Sequence, residues 1–124
     1  MTAPTSLADA KFVQLTTFRR DGSGVPTPVW VVPLEGGAIG VWTMAGTGKV
    51  KRARRSGAVT LAVCDRRGNV SGPTTPGTAR LLDEAGLRTV RDGVRRKYGM
   101  LGRILTTVTA RRGAGPAALS ITLS

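Results

Sequence analysis

The chain has 124 residues, enough for one domain with its own core, and 40% of them are hydrophobic, which excludes a disordered chain. Its formal net charge of +12 and sequence pI near 11.7 point to anionic partners: nucleic acid, acidic lipid, or phosphorylated and carboxylated small molecules. Histidine is absent, which removes histidine triads, histidine metal sites and imidazole proton shuttles together, and a single cysteine cannot form an internal disulfide.

Arginine outnumbers lysine 15 to 4 in a chain rich in Gly, Ala and Val, a pattern that GC-rich coding also produces, so not all of the charge is assigned to function. The N-terminal residues lack an apolar h-region, and no apolar run approaches the ~18 residues of a membrane helix. A cytoplasmic protein without membrane contact is expected.

Residues 1–9 are small and polar and read as a loose arm, with a short helical turn around residues 6–11. Phe12–Phe18 (FVQLTTF) is β-rich, and Asp21-Gly22 after it is a hairpin signal. A second strand is expected over 27–32. Pro26, Pro28 and Pro33 cannot donate to a ladder, so this strand lies at a sheet edge or carries a bulge. Glu35-Gly36-Gly37 is another tight turn, and 38–44 a third strand, giving a three-stranded antiparallel meander.

Thr47 is the expected N-cap of a short basic helix over 49–56, with Gly57 as its stop. A fourth strand follows over Ala58–Cys64, a turn over 65–69, and a fifth strand over 70–82 interrupted at Pro73 and Pro76. From Asp83 the period changes to 3.6: Leu87, Val90, Val94 and Tyr98 share a stripe, Asp83 caps the start and Gly99 stops the helix. Residues 100–109 make a second helix with Leu101, Ile104, Leu105 and Val108 on one side. A loop (111–116) and a half-buried strand (118–123) complete the chain. The prediction is one domain over 1–124: mainly β, a six-stranded antiparallel barrel with small helices outside it.

Most familiar chemistry is excluded. The seven acidic residues form no pair in an apolar setting; Asp21 and Asp65 read as turn residues and Asp83 as a cap. Cys64 ends an apolar strand with no histidine to activate it, so it reads as a small buried hydrophobe. No ligand cluster supports a metal.

What remains is the stretch VWTMAGTGKVKRARR, residues 41–55. A strand that runs through a small-residue turn into a basic helix offers free N–H groups and a positive dipole to a phosphate. Helical spacing puts Lys49 with Arg52, and Lys51 with Arg54 and Arg55. Both lysines reach one phosphate only if Lys49 precedes the helix proper. A solvated basic face is the competing reading, and the residues alone leave both open. Trp30 and Trp42 flank this stretch; each reads either as core or as a platform for a planar phosphorylated ring or a nucleobase.

At these residues the sequence resembles the pyridoxamine-phosphate-oxidase-like split β-barrel superfamily, and within it the actinobacterial deazaflavin (coenzyme F420)-dependent oxidoreductases. The resemblance is carried by LTTFRRDGSGVPTPVW, VWTMAGTGKVKRARR, VTLAVCDRRGNVSGPTTPGTARLL and RKYGMLGRI, in family order and over nearly the whole chain. It implies a six-stranded split barrel that works as a homodimer, with cofactor sites across the interface. Thr27, Pro28, Val29 and Trp30 would border the tricyclic ring. Thr43, Thr47, Lys49, Lys51 and Arg52 would hold the cofactor phosphate, with Trp42, Gly48 and Val50 beside them. Arg54, Arg55, Arg66 and Arg67 are candidates for the oligoglutamate tail, and residues after the Gly72-Pro73 bend of the partner would close the site.

Reduced deazaflavin gives up a hydride from its ring, so the protein's task would be binding and orientation, with no histidine or catalytic carboxylate needed. Solvent or Tyr98 would protonate the product. FMN is the alternative cofactor. A carrier that binds F420 without turnover and, more remotely, a nucleic-acid-binding barrel are the alternatives of other classes.

Overall fold

The computed structural model describes residues 7–111, 113 and 115–123. Seven strands form one sheet: β1 (Phe12–Phe18), β2 (Gly24–Val29), β3 (Val31–Pro33), β4 (Ile39–Met44), β5 (Ala58–Cys64), β6 (Thr75–Leu81) and β7 (Pro116–Leu123). Their order is β2-β1-β5-β6-β7-β4-β3, every neighbouring pair antiparallel. Helix α1 (Gly48–Ser56) joins β4 to β5, and α2 (Glu84–Ala110) joins β6 to β7.

The two ends of the sheet are halves of one chain run. The single strand expected over 27–32 is β2 and β3, separated at Trp30, which accounts for seven strands where six are expected. β2 pairs with β1, and β3 pairs with β4, so the run bends at Trp30 and bridges the ends of the curled sheet. Pro26 and Pro28 sit in β2, opposite Thr16 and Gln14 of β1, on a terminal strand where a missing N–H is tolerated.

Alternation in β1 puts Val13, Leu15 and Thr17 inside. With Val31, Ile39, Val41, Leu61, Leu119 and Ile121 they build the barrel interior. β4 is buried on both faces: Ile39 and Val41 look into the barrel, while Trp42 packs outward with Val32, Val90, Val94 and Ala118 under α2.

Asp83 caps α2 by accepting from the Gly86 N–H at 2.9 Å. At Gly99 (φ 61°, ψ −131°) α2 breaks into segments 84–98 and 100–110, the two helices the sequence predicts. The second folds back on the first. Gly102 lies against the Val94 carbonyl where a side chain would collide, and Arg95 Nε donates to Thr106 Oγ1 at 2.9 Å. No described helix is long and apolar enough to cross a membrane.

Other boundaries shift slightly. The helical turn expected at 6–11 is a 3₁₀ turn over Leu7–Asp9, with residue 6 outside the described residues. Of the expected strand start at 70–72, only a Cys64–Val70 bridge is present. β7 begins at Pro116, two residues early, and the predicted loop before it falls partly on undescribed residues 112 and 114.

Candidate functional site

β4 carries Trp42 and Thr43 to its C-terminal end, and α1 starts four residues later, at Gly48. Lys49 therefore lies inside the first helical turn, not before it. This corrects the arrangement in which both lysines meet one phosphate: at helical spacing Lys49 and Lys51 diverge. Lys49 is half-buried, and its Nζ donates to Thr43 Oγ1 at 3.2 Å, while Lys51 is exposed. Burial and then the Arg52 charge hold the Lys49 ammonium below its ordinary value.

Arg52 shares the Lys49 face. Its Nε donates to Thr17 Oγ1 at 2.7 Å, so a buried barrel hydroxyl aims the guanidinium. That guanidinium crosses Gly48 so closely that a Cβ there would come within 2.6 Å of a terminal nitrogen. Thr47 has extended N-cap dihedrals but makes no side-chain cap; its hydroxyl donates to the Met44 carbonyl at 3.0 Å. The start of α1 is thus left without a carboxylate or hydroxyl on its first N–H groups.

Pro28, Val29, Trp30, Trp42, Thr43 and Lys49 line one cavity of about 320 Å³, together with Phe12, Arg66 and Leu105. Six expected site residues from two distant stretches thereby share one wall. Others do not join them. Thr27 pairs with Leu15 within the sheet, and Val50 turns its side chain inward at 4% exposure. Arg55 donates to the Phe18 carbonyl and lines a separate depression with Arg54 and Thr78. Pro73 is exposed in the β5–β6 connection. Sequence reading missed Phe12 and Leu105, because nothing local reports that β1 pairs with β5 or that the end of α2 returns over β4.

A larger depression, about 550 Å³, lies between Leu34, Arg80, Thr89 and Ser120. It holds one cation, one carboxylate (Glu35) and no aromatic ring, a weaker setting for a charged planar ligand.

The aromatic wall is supported from behind. Trp30 stacks on Tyr98, centroids 4.1 Å apart and planes 10° from parallel. The Tyr98 hydroxyl donates to the Lys11 carbonyl at 2.8 Å and accepts from the Val31 N–H at 3.2 Å. Burial pushes its pKa up. Tyr98 is absent from the cavity lining, and its proton is committed, which argues against the proton-donor role. Next to it, Lys97 Nζ donates to the carbonyls of Ala8, Ala10 and Val31 at 2.6–2.8 Å. The buried indole N–H of Trp42 has no hydrogen-bond partner among the described residues.

Asp21, Asp65 and Cys64 have the surroundings the sequence suggests for them. Asp21 accepts from Ser23, and Asp65 from Arg67 and Asn69, as turn residues do. Cys64 is buried and its thiol is pushed up by that burial. Among the described residues no group of three metal-ligating side chains occurs.

No family model matches the chain, and no curated protein is significantly similar to it. Solved structures are. A conserved hypothetical protein from Mycobacterium tuberculosis is 18% identical, with a TM-score of 0.71, over 99% of this chain and 81% of its own. A pyridoxamine 5'-phosphate oxidase candidate from Listeria innocua is 13% identical, with a TM-score of 0.61, over 95% and 87%. HutZ, a haem storage protein from Vibrio cholerae, is 12% identical, with a TM-score of 0.70, over 95% and 84%. At such identities the likeness is one of fold: the chain is a mainly β split barrel of the kind seen in pyridoxamine-phosphate-oxidase-like proteins.

Proposed function

We propose that the chain is an oxidoreductase that binds coenzyme F420 in the Trp30–Trp42–Lys49 cavity and passes a hydride between it and a small organic molecule. The observation that carries this reading is Lys49, a half-buried ammonium on a cavity wall shared with two tryptophans and opposed by no carboxylate.

The residues suit a phosphorylated tricycle. Lys49, Arg52 and the uncapped start of α1 offer charge to a phosphate. Trp30 and Pro28 offer flat apolar surface, and the unpartnered Trp42 N–H is a donor in search of an acceptor. When bound, F420 supplies hydride chemistry at its ring. The chain's own part is to hold the phosphate, fix the ring against Trp30 and exclude water. Arg66, on the same cavity, is the candidate for the acidic tail, and Arg55 is no longer one. A second copy, brought against the β5–β6 connection that carries Pro73, would close the cavity.

FMN remains the alternative cofactor, since the same features suit any phosphorylated isoalloxazine-like ring. Haem, which the name of the Vibrio relative brings in, is less well served, because the chain has no imidazole to ligate iron.

The test is titration of the purified protein with F420, FMN and haem, followed by oxidation of reduced F420 against a panel of unsaturated and quinone-like compounds. Saturable F420 binding is expected, with a rate for at least one compound. FMN binding without F420 binding reverses the cofactor assignment. F420 binding with no rate on any compound makes the protein a carrier.

A further inference from the structure

The second segment of α2 is turned inside out. Met100, Leu101, Ile104 and Val108 are 78%, 60%, 55% and 42% exposed, whereas Gly102, Thr106 and Thr109 face inward. At positions i, i+1, i+4 and i+8 the four large side chains form one stripe. Single exposed aliphatics are ordinary, but a continuous stripe marks a surface that something covers. The orientation is fixed by packing. Gly102 touches the Val94 carbonyl where no other residue fits, and Arg95 bonds Thr106. Rotating the stripe inward would break both.

Charge decides what covers it. From residue 93 to residue 124 the sequence holds six Lys or Arg and no Asp or Glu. Arg103 and Arg111 are exposed at the stripe's margins, three residues from Met100 and from Val108. A second copy packed stripe to stripe would add its own cations and no carboxylate from this segment; the second copy proposed above meets the β5–β6 connection instead. An anionic bilayer offers hydrocarbon to the stripe and phosphate to the arginines.

We propose that the 100–110 segment of α2 docks in the headgroup region of an anionic lipid bilayer, with Met100, Leu101, Ile104 and Val108 entering it and Arg103 and Arg111 on the phosphates. This reverses the expectation of no membrane contact while keeping the finding that no described helix spans one. Leu105, four residues from Leu101 and three from Val108, lies on the cavity wall, so the docked face adjoins the candidate site. Molecules dissolved in the lipid would reach the cavity without crossing water. The proposal does not depend on which cofactor binds.

The experiment is co-sedimentation of the full chain with phosphatidylcholine vesicles and with vesicles that also contain phosphatidylglycerol, at low and high salt. The variant Leu101→Ser with Ile104→Ser, whose folding is checked by circular dichroism, is run in parallel, with light scattering on both proteins. Sedimentation is expected with the anionic vesicles only, weakened by salt and reduced about tenfold or more in the variant. No wild-type binding to anionic vesicles overturns the proposal, and so does equal binding to neutral ones, neither of which depends on the variant folding. Undiminished binding by the variant leaves charge alone as the cause and overturns it too. Conversion of an oligomer to a monomer in the variant assigns the stripe to a protein interface instead.

Discussion

Trp30 lies flat on Tyr98, 4.1 Å between centroids, at the point where one strand ends and the next begins. The ring that would face a ligand is therefore held by a second ring that does not touch the cavity, and the Tyr98 hydroxyl pins both to the Lys11 carbonyl and the Val31 N–H. Stability and site geometry depend on the same contact.

Tyr98→Phe keeps the stack and removes the hydroxyl, at an expected cost of about 1 kcal/mol. Tyr98→Ala removes both, at about 3–5 kcal/mol. Denaturant midpoints rank the two, and tryptophan fluorescence should shift only in the alanine variant. Equal losses would mean that the stack contributes nothing.

Lys49→Ala should weaken binding of a phosphate-bearing cofactor by about 1.5–3 kcal/mol, the range for a lost charge-assisted bond. Lys51→Ala, exposed and on another face, should change it by less than about 1 kcal/mol. Fluorescence titration of each variant with F420 is the measurement. If Lys51→Ala is the more damaging, α1 presents its other face to the ligand.

Lys49 also sets a pH dependence. Its folded pKa lies below the ordinary lysine value of 10.5, chiefly through burial and next through Arg52. Below the folded pKa the burden of the buried charge on folding is fully present. It is relieved as pH rises through that value toward 10.5, because the unfolded chain then holds the extra proton. Anion affinity moves the opposite way, falling over the same window as Lys49 loses its charge. The expected result is a fall in cofactor affinity that begins before exposed lysines titrate and disappears in Lys49→Ala. Calorimetry in buffers of different ionisation enthalpy should show proton uptake on binding inside that window.

Gly102→Ala should cost about 1–3 kcal/mol, since its Cβ would meet the Val94 backbone and push the two segments of α2 apart. Thermal unfolding measures the loss, and hydrogen exchange over 100–110 should rise first. An unchanged midpoint would mean that the segments are not held together at Gly102.

Where sequence signals are local, the fold was legible. Phe12–Phe18 and Ala58–Cys64 fall on the expected residues, because alternation and turn glycines mark both ends. The break at Trp30 was not, because Val29, Val31 and Val32 read as one strand. What splits them is pairing to two different neighbours, β1 and β4, far apart in sequence. In the site, Trp42, Thr43 and Lys49 were legible because they follow one another along the chain. Lys51 does not join them: α1 holds Lys49 in its first turn, as the expected helix over 49–56 also did, and helical spacing turns the two lysines apart. Leu105 was placed on one face with Leu101, Ile104 and Val108; it is at the edge of that face, half-buried on the cavity wall, because the fold-back at Gly99 lays this edge of the segment against the barrel and leaves the other three exposed.

Because β2 and β3 are one run, the barrel is fastened by its own chain at Trp30. Peeling β2 from β1, or β3 from β4, loads the same joint, and that joint is a wall of the cavity. A molecule gripped there acts as a clasp on the whole cylinder. Its binding energy should appear as slowed amide exchange along the whole of β1 and β4, beyond Phe12, Trp42 and Thr43, where those strands line the cavity.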